Sequence, residues 1–234
     1  MTGVNATDTL GAIVTEHPDR ARELERRGLD YCCGGDRSLE GACRDAGLDA
    51  LEVTAALNSQ DAHGPAAWAT MSPIELIDHL EATHHAYLHA ELPRLGALAE
   101  KVTEAHGERH PELTEIGDTL VELRTDLEPH LAKEEHVLFP MIRELMASET
   151  APAFHCGSLA NPISVMLVEH DRVGELLSRL RGLTDGNTTP ADGCSSYGAF
   201  SRGLAELEAD THLHVHKENN LLFPAVIERE RTRR

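Results

Sequence analysis

The 234-residue sequence has few aromatic residues, few basic residues relative to acidic ones, and no long apolar run. Aromatic side chains make up only 3% of the chain, whereas Leu, Ala and Glu are abundant and β-branched runs are short. Such a composition favours helices over sheets. We therefore expect an all-α fold.

The shortage of basic residues argues against a nucleic-acid-binding surface. The chain has 21 Lys and Arg against 40 Asp and Glu, which gives a formal charge of −19. Binding to phosphate backbones requires clustered Lys and Arg, and anionic membranes are disfavoured for the same reason. The sequence predicts neither a nucleic-acid partner nor a membrane partner.

Cysteines are also few, and no export signal is visible. No segment approaches the ~20 apolar residues of a transmembrane helix, and the basic and apolar blocks of a signal peptide are missing. Five cysteines, including the adjacent Cys32 and Cys33, do not resemble a disulfide framework. We expect a cytoplasmic protein with reduced thiols. Cys43, Cys156 and Cys194 are expected to be small, inert core residues.

The sequence changes character after its first quarter. Residues 1–60 are predicted to form a small domain of two or three short helices, interrupted by the turn-like run Tyr31-Cys32-Cys33-Gly34-Gly35. Residues 61–71 are predicted to be a linker, and residues 72–234 an up-down four-helix bundle. Ser72, followed by Pro73 and Glu75, marks a strong helix start, and Asn161-Pro162 predicts another. Two further helices are predicted over residues 111–146 and 197–229.

Two of the predicted bundle helices carry an apolar stripe that turns polar at equivalent positions. A buried Glu without a partner or a metal is strongly penalised, so polar residues within such stripes require ligands. The stripes, at three- and four-residue steps, are Leu113, Ile116, Leu120, Leu123, Leu127, His130, Glu134 and Leu138, and Tyr197, Phe200, Leu204, Leu207, Thr211, His214, Glu218 and Leu222.

The polar residues of the two stripes belong to an internal repeat. His130-x-x-x-Glu134 and His214-x-x-x-Glu218 share one offset, since 214 − 130 and 218 − 134 both equal 84, and each is followed by Leu-Phe-Pro. Residues four apart lie on one helix face. A single His-x-x-x-Glu is usually a surface pair, but two copies within core stripes indicate a metal site.

The other two helices should supply histidines. His170 lies in a stripe with Ile163, Leu167, Val173 and Leu177. The first helix offers His79, His84, His85 and His89. An offset of 85 pairs His170 with His85 and Val173, Leu177 and Leu180 with Leu88, Leu92 and Leu95, whereas choosing His84 pairs the same residues with Tyr87, Glu91 and Arg94. We predict His85 as the ligand and keep His84 as the alternative.

The predicted ligands are four imidazoles and two carboxylates. These donors suit iron, manganese or zinc better than copper(I) or an iron–sulfur cluster. Glutamates on facing helices can bridge two metals, with two histidines for each metal and room for a bridging oxygen and a small ligand. The set is His85, His130, Glu134, His170, His214 and Glu218.

This ligand order resembles the hemerythrin-like family, in which four bundle helices contribute His, His-x-x-x-Glu, His and His-x-x-x-Glu. The resemblance covers roughly residues 70–230. It implies a hemerythrin-like bundle holding two non-haem iron ions joined by an oxo or hydroxo bridge. Oxygen-carrying hemerythrins usually have one more histidine ligand, for which His89 and His216 are available.

The N-terminal segment, with Leu29-Asp30 preceding the Tyr-Cys-Cys-Gly-Gly run, resembles the short first domain of the iron–sulfur cluster repair di-iron proteins. Ile163-Ser164-Val165-Met166 and Glu218-Asn219-Asn220 also fit that family. The resemblance implies repair of iron–sulfur clusters damaged by nitric oxide or oxidants, through iron donation, nitric oxide reduction or both. Damaged or apo iron–sulfur proteins are the implied partners, and nitric oxide or O2 the small ligand. Oxygen binding or sensing is the alternative, and a structural zinc site is a third.

Several other residues are candidates for roles around the site. Cys32 and Cys33, flanked by glycines, are expected on a flexible and accessible backbone, where their thiols could relay iron or electrons. Glu169 and Asp126 are candidates for orienting the metal ligands or for an iron exit, although both also fit a solvated helix face. Pro129 is expected to kink its helix.

Overall fold

The structure is a computed structural model that describes residues 3–59 and 66–233. Within these ranges the regular structure is helical, and the only β-type pairing is an isolated bridge between Thr9 and Ser38. The expected all-α fold is confirmed. Residues 61–65 of the predicted linker lie outside the described ranges, and Ala67–Thr70 forms a 3₁₀ turn whose Trp68 is buried. None of the described helices is both long and apolar enough to cross a bilayer.

The N-terminal part contains four short helices, more than the two or three predicted. They are α1 (Leu10–Glu16), α2 (Ala21–Arg26), α3 (Leu39–Ala46) and α4 (Ala50–Asn58), with a 3₁₀ turn at Pro18–Arg20 before α2. The side chains of Thr9, Ser38 and Asp49 accept backbone N–H groups at the starts of α1, α3 and α4. These caps satisfy donors that a helix start leaves free, which allows such short helices to form.

Four long helices build the bundle. They are α5 (residues 73–106), α6 (residues 112–147), α7 (Ala160–Leu183) and α8 (residues 195–233). α5 and α7 each pack against both α6 and α8, so the four enclose one core. Three of them contain a five-residue π-helical segment, at Glu81–His85 in α5, Glu134–Leu138 in α6 and Glu218–Leu222 in α8.

The two predicted helix starts have different outcomes. Before α5, Glu75 accepts the backbone N–H of Ser72 at 2.8 Å while the Ser72 hydroxyl accepts from the Glu75 backbone, which is the predicted capping box. α7 begins at Ala160, one residue before Asn161. Asn161 does not cap the helix, because its amide donates instead to the carbonyl of Cys156 at 2.8 Å.

The apolar stripes of α6 and α8 are confirmed, since every residue in both is buried. The stripe predicted for α7 is wrong at one position. Leu167 is 39% exposed, and Met166 fills the core position instead. Its three-residue step from Ile163 keeps the helix in phase with His170, whereas Leu167 falls one residue beyond that face. Pro129 does not end the α-helical segment Glu112–Lys133, and the departure from α geometry begins only at Glu134.

The bundle core consists of two apolar clusters with a polar layer between them. On each helix, residues from one cluster precede the polar position and residues from the other follow it. The first cluster includes Leu88, Leu123, Leu127, Val173 and Leu207, and the second includes Leu80, Leu138, Ile163, Leu222 and Phe223. Both clusters keep water away from the polar layer, which therefore lies in an interior environment.

Candidate metal centre

The structure brings all six predicted ligand residues together in this polar layer. Each is at most 1% exposed. Their potential ligand atoms form two groups, within each of which the atoms lie within 4.8 Å of one another. The groups are His85, Glu134, His214 and Glu218, and His130, Glu134, His170 and Glu218. Both carboxylates belong to both groups, so each group combines two imidazoles of its own with two shared glutamates.

The two oxygens of each carboxylate face different groups. In Glu134, Oε2 lies 3.6 Å from His85 Nε2 and Oε1 lies 3.3 Å from His130 Nε2. In Glu218, Oε1 lies 3.2 Å from His214 Nε2 and Oε2 lies 3.2 Å from His170 Nε2. Each glutamate therefore spans two neighbouring positions, as a carboxylate that bridges two metals must do.

The imidazole nitrogens are spaced as ligands of a common ion would be. His85 Nε2 and His214 Nε2 lie 3.2 Å apart, and His130 Nε2 and His170 Nε2 lie 3.1 Å apart. Two ligands about 2.1 Å from one metal and at right angles to each other lie about 3.0 Å apart. The spacing of both pairs fits one six-coordinate ion in each group.

The burial of the two glutamates is a second reason to expect cations in this layer. All four carboxylate oxygens of Glu134 and Glu218 are buried, and no described residue donates a hydrogen bond to them. Burying an ionised carboxylate without compensation carries a large free-energy penalty, and buried charges are normally paired or bound to metal. The donor set therefore fits divalent metal ions, with the carboxylates supplying negative charge where the ions would be.

Protons on the histidines are the alternative source of positive charge. Burial alone would raise the pKa of Glu218, but the positive charges of protonated His214 and His170 beside it hold this pKa well below its usual range. Burial likewise opposes protonation of His130, yet the attraction of Glu134 and Glu218 raises the pKa of His130 to about 9. The layer thus has a strong preference for cations at these positions.

Three of the four imidazoles are oriented by a partner on Nδ1. His85 Nδ1 donates to Glu135 at 2.9 Å, and His130 Nδ1 donates to Glu169 at 2.9 Å. His170 Nδ1 lies 2.8 Å from Asn219 Oδ1. A proton on Nδ1 leaves Nε2 free as a ligand atom, so these contacts select the metal-binding tautomer.

Among these partners, the expectation for Glu169 holds, since it contacts His130. Asp126 does not contact a ligand, and it lies 3.6 Å from Arg172 on the outer face of the bundle. Glu135 escaped the sequence analysis. It directly follows Glu134 in the sequence, but its direction depends on the π segment Glu134–Leu138, which the residue pattern does not predict.

The Leu-Phe-Pro run closes the layer at one end. Phe139 and Phe223 begin the α-helical segments that follow two of the π segments, and both are buried. The Phe139 ring lies 5.5 Å from the ring of His85, and the Phe223 ring stacks on His170 at 6.0 Å. Single π turns are frequent at functional sites, and here they begin at the two carboxylates.

The alternative ligand His84 lies beside the layer but outside both groups. Its ring stacks on that of His214 at 5.5 Å. His84 Nδ1 donates to Asp210 at 2.9 Å, and its Nε2 accepts from Lys217 at 2.6 Å. Burial lowers the pKa of Lys217 to about 8. Sequence analysis missed this buried polar row, although Lys217 occupies the repeated Lys position of the two motifs.

The candidates for an additional histidine ligand also lie elsewhere. His89 is half-exposed and its Nε2 lies 2.9 Å from Glu135. His216 points towards the N-terminal helices, where its Nε2 lies 3.1 Å from the hydroxyl of Thr15. Neither histidine belongs to the two groups formed by the described residues.

The cysteine pair lies at the junction of the N-terminal helices and the bundle. The carbonyl of Cys32 accepts hydrogen bonds from the amides of Asn219 at 3.2 Å and Asn220 at 3.1 Å. Asp30 Oδ1 accepts the backbone N–H groups of Cys32 and Cys33. The expectation of a flexible loop is therefore wrong, since the loop is held on both sides. The expected accessibility is wrong for Cys32, which is buried, whereas Cys33 is only partly buried.

The remaining cysteines differ from one another. Cys43 is buried in the N-terminal core, as expected. Cys156 is only partly buried and Cys194 is exposed, so the expectation of a core position is wrong for these two. Hydrogen bonding by His106 and by backbone groups at the start of α8 lowers the pKa of Cys194 to about 7.

Comparison with known protein families gives two matches. Residues 76–226 match the hemerythrin HHE cation binding domain, which covers more than half of the chain. Residues 6–61 match a domain of unknown function, DUF542. The first match contains all six residues of the polar layer, and the second contains the cysteine pair.

Curated relatives are similar over nearly the full length. An iron-sulfur cluster repair protein YtfE from Enterobacter sp. (strain 638) is 36% identical over 220 residues, which is 93% of this chain and 96% of the relative. A probable iron-sulfur cluster repair protein from Haemophilus influenzae is 34% identical, covering 95% and 97%. A YtfE protein from Yersinia pseudotuberculosis is 33% identical, again covering 95% and 97%.

Proposed function

The chain belongs to the hemerythrin HHE cation-binding family, and we propose that it is a cytoplasmic di-iron protein that repairs iron–sulfur clusters damaged by nitric oxide or oxidants. The observation that carries this proposal is the buried layer in which two glutamates without hydrogen-bond donors each face two histidine pairs. The relatives' names supply the repair role.

The two groups support a ligand assignment for each iron. His85 and His214 would hold one ion, and His130 and His170 would hold the other, with Glu134 and Glu218 shared between them. Such a pair supplies two adjacent redox-active Lewis acids that can bind a small molecule or leave as ferrous iron. Four protein ligands per ion leave coordination positions free, which suits nitric oxide or O2 as the small ligand.

The chain's own residues set how firmly the ions are held. Glu135, Glu169 and Asn219 fix the Nδ1–H tautomers of three ligand histidines. For His214 Nδ1, the described part of the chain supplies no such partner. The ion bound by His85 and His214 therefore has one less oriented ligand than the other, which makes it the more readily released of the two.

The buried row of Lys217, His84 and Asp210 holds protons beside the layer. Lys217 Nζ donates to His84 Nε2, and His84 Nδ1 donates to Asp210, which is partly exposed. The row joins the partly exposed carboxylate of Asp210 to the buried Lys217 through the His84 ring, which stacks on His214.

The metal assignment is tested by removing one carboxylate at a time. Glu134→Ala and Glu218→Ala should abolish paired iron binding while most of the helical content remains, because each carboxylate serves both ions. Glu206→Ala, an exposed position on α8, is the matched control and should keep two irons per chain. Iron analysis and absorption spectra on protein purified without oxygen report the result. Retention of two irons in both layer variants would refute the assignment.

The repair function needs its own measurement. The iron-loaded protein is mixed anaerobically with an apo iron–sulfur protein, and cluster reconstitution is followed by absorption. In parallel, the reduced protein is exposed to nitric oxide and its consumption is recorded. We expect at least one of the two activities in the native protein and neither in Glu218→Ala. A protein that holds two irons but shows neither activity would contradict the proposal.

A further inference from the structure

Three side chains of the Cys-Cys loop are arranged as ligands of a single cation. Asp30, Cys32 and Cys33 each place a potential ligand atom within 4.8 Å of the others. The two sulfurs lie 3.9 Å apart. A disulfide requires about 2.05 Å, whereas two thiolates bound at about 2.3 Å to one tetrahedral metal lie about 3.8 Å apart. The spacing fits a shared metal and not a bond between the sulfurs.

The loop backbone holds these ligand atoms in place. Asp30 Oδ1 accepts from the backbone N–H of Cys32 at 3.0 Å and of Cys33 at 2.9 Å, and Asp30 Oδ2 accepts from Gly34 at 3.2 Å. The Cys32 thiol also donates to Asp30 Oδ1 at 3.1 Å. The proton between this sulfur and this oxygen occupies the position that a cation would take.

The site opens into a cleft between the N-terminal helices and the bundle. The cleft has a volume of about 980 Å³ and is lined by the three loop residues and by Asp171 and Glu175 of α7. Its arginines are already paired with carboxylates: Arg26 and Arg27 with Glu23, and Arg181 with Glu208. The lining holds five carboxylates against three arginines, and this excess of negative charge favours the approach of cations over that of anions.

A hydrogen-bonded connection joins this loop to the bundle layer. Asn219 donates from Nδ2 to the carbonyl of Cys32 and contacts Nδ1 of His170 through Oδ1. One side chain therefore touches both the thiol loop and a residue of the di-iron layer. A change of ligand in the thiol loop or in the bundle layer would therefore alter a hydrogen bond of the same Asn219 amide.

We propose that Asp30, Cys32 and Cys33 form a second metal site that binds one thiophilic divalent cation. Its cation is ferrous iron in transit from the bundle layer, an identification that rests on the proposed function. On binding, two S–H bonds are lost and two sulfur–metal bonds form, the two protons pass to solvent, and no electron is transferred. Asp30 completes three protein ligands and leaves one position for an acceptor's thiolate.

The test uses Co²⁺ as the probe on the iron-loaded protein, without oxygen, so that the bundle layer is already filled. We expect one equivalent of Co²⁺ to produce a thiolate-to-cobalt charge-transfer band and to release about two protons per ion. Cys32→Ser and Cys33→Ser should each abolish the band. Asp30→Asn keeps an oxygen that can accept the backbone N–H groups of Cys32 and Cys33, but it removes the charge and the acceptor of Gly34, so Co²⁺ affinity should fall about tenfold or more.

Cys156→Ser and Cys194→Ser are the matched controls and should leave the band unchanged, because both cysteines lie outside the described clusters of ligand atoms. Circular dichroism checks that every variant is folded. A band that persists in Cys33→Ser, or no band with Co²⁺ at millimolar concentration, would overturn the second site. Iron analysis of the same samples measures how many irons the bundle layer holds. Failure of the di-iron assignment is therefore distinguishable from failure of this second site.

Discussion

The four imidazoles of the polar layer differ in what holds their Nδ1 atoms, and this difference matters most at His170. Glu135 and Glu169 are carboxylates, but the partner of His170 is the neutral amide of Asn219. An amide oxygen orients the ring without adding charge, so it increases the basicity of the ligand less than a carboxylate does. His170 is thus oriented by the same residue that holds the thiol loop.

Asn219→Ala should weaken iron binding about 10–100-fold, because His170 loses the acceptor that fixes its tautomer and ring orientation. Competition with a chelator of known affinity measures this change. Asn220→Ala is the control, since Asn220 donates to the same Cys32 carbonyl but has no hydrogen bond to a residue of the layer. Equal losses in both variants would show that loop contact, and not His170 orientation, determines the affinity.

The exposed thiol of Cys194 should titrate near neutral pH. Hydrogen bonding by His106 favours the thiolate and lowers the Cys194 pKa to about 7, so alkylation by iodoacetamide should rise with pH to a midpoint of about 7. In His106→Leu the midpoint should move up towards about 8.5, the value of a free cysteine. Site-resolved mass spectrometry of the alkylated peptides provides the rates. A midpoint that does not move would exclude His106 as the cause.

Five of the six layer residues could be predicted because three helices present them within an apolar stripe that helix periodicity exposes directly. On the first helix periodicity left several histidines open, and His85 was chosen only by its offset of 85 from His170. The supporting residues were harder to find. Glu135 and Lys217 adjoin predicted ligands in the sequence. The directions of their side chains depend on the π segments, which the residue pattern does not predict. The tautomer contact of Asn219 also depends on the packing of α8 against α7, a tertiary feature.

At the level of single helices, the π segments explain why the repeat extends past its Glu. A π turn carries one extra residue, so the residues after it rotate relative to those before it. This rotation brings Phe139 and Phe223 against the rings of His85 and His170, on helices other than their own. The phenylalanines of the shared Leu-Phe-Pro run therefore pack against the predicted ligands.

The apolar cluster around Leu123 stabilises the bundle independently of metal. Leu123 is fully buried on α6, so Leu123→Ala should lower the free energy of unfolding by about 2–5 kcal/mol through lost burial and a cavity. Val121→Ala on the same helix is the control, because Val121 is 64% exposed and its truncation should change stability little. Urea denaturation of the metal-free proteins measures both. A loss of less than about 1 kcal/mol for Leu123→Ala would contradict the packing described.

At the level of the whole molecule, the N-terminal helices and the bundle share a core. Val215 of α8 packs in the N-terminal cluster, and His216 contacts both Thr15 and the carbonyl of Tyr31. The sequence predicted an N-terminal helical part and a bundle from their different periodicities. It did not predict this contact, because Val215 and His216 fall outside the α8 stripe and face a partner that helix periodicity does not identify.

The docking of the thiol loop depends on a close approach at Gly35. A Cβ atom at this position would lie 2.0 Å from Asn220 Oδ1 and 2.8 Å from the backbone oxygen of Tyr31. The Asn220 side chain could rotate away, but the backbone oxygen belongs to the loop itself and can move only if the loop moves. Gly35→Ala should therefore separate the loop from α8 while leaving the six residues of the bundle layer in place.

Hydrogen exchange measured by mass spectrometry on peptides covering residues 31–35 tests this expectation. We expect faster exchange in Gly35→Ala, together with an unchanged iron content, because the layer is built from bundle helices only. Gly96→Ala provides the control, since a Cβ there meets no atom within 4 Å and the change should leave exchange in the loop unaltered. Loss of iron in Gly35→Ala would instead show that the docked loop is required for metal binding, through the Asn219 amide that joins Cys32 to His170.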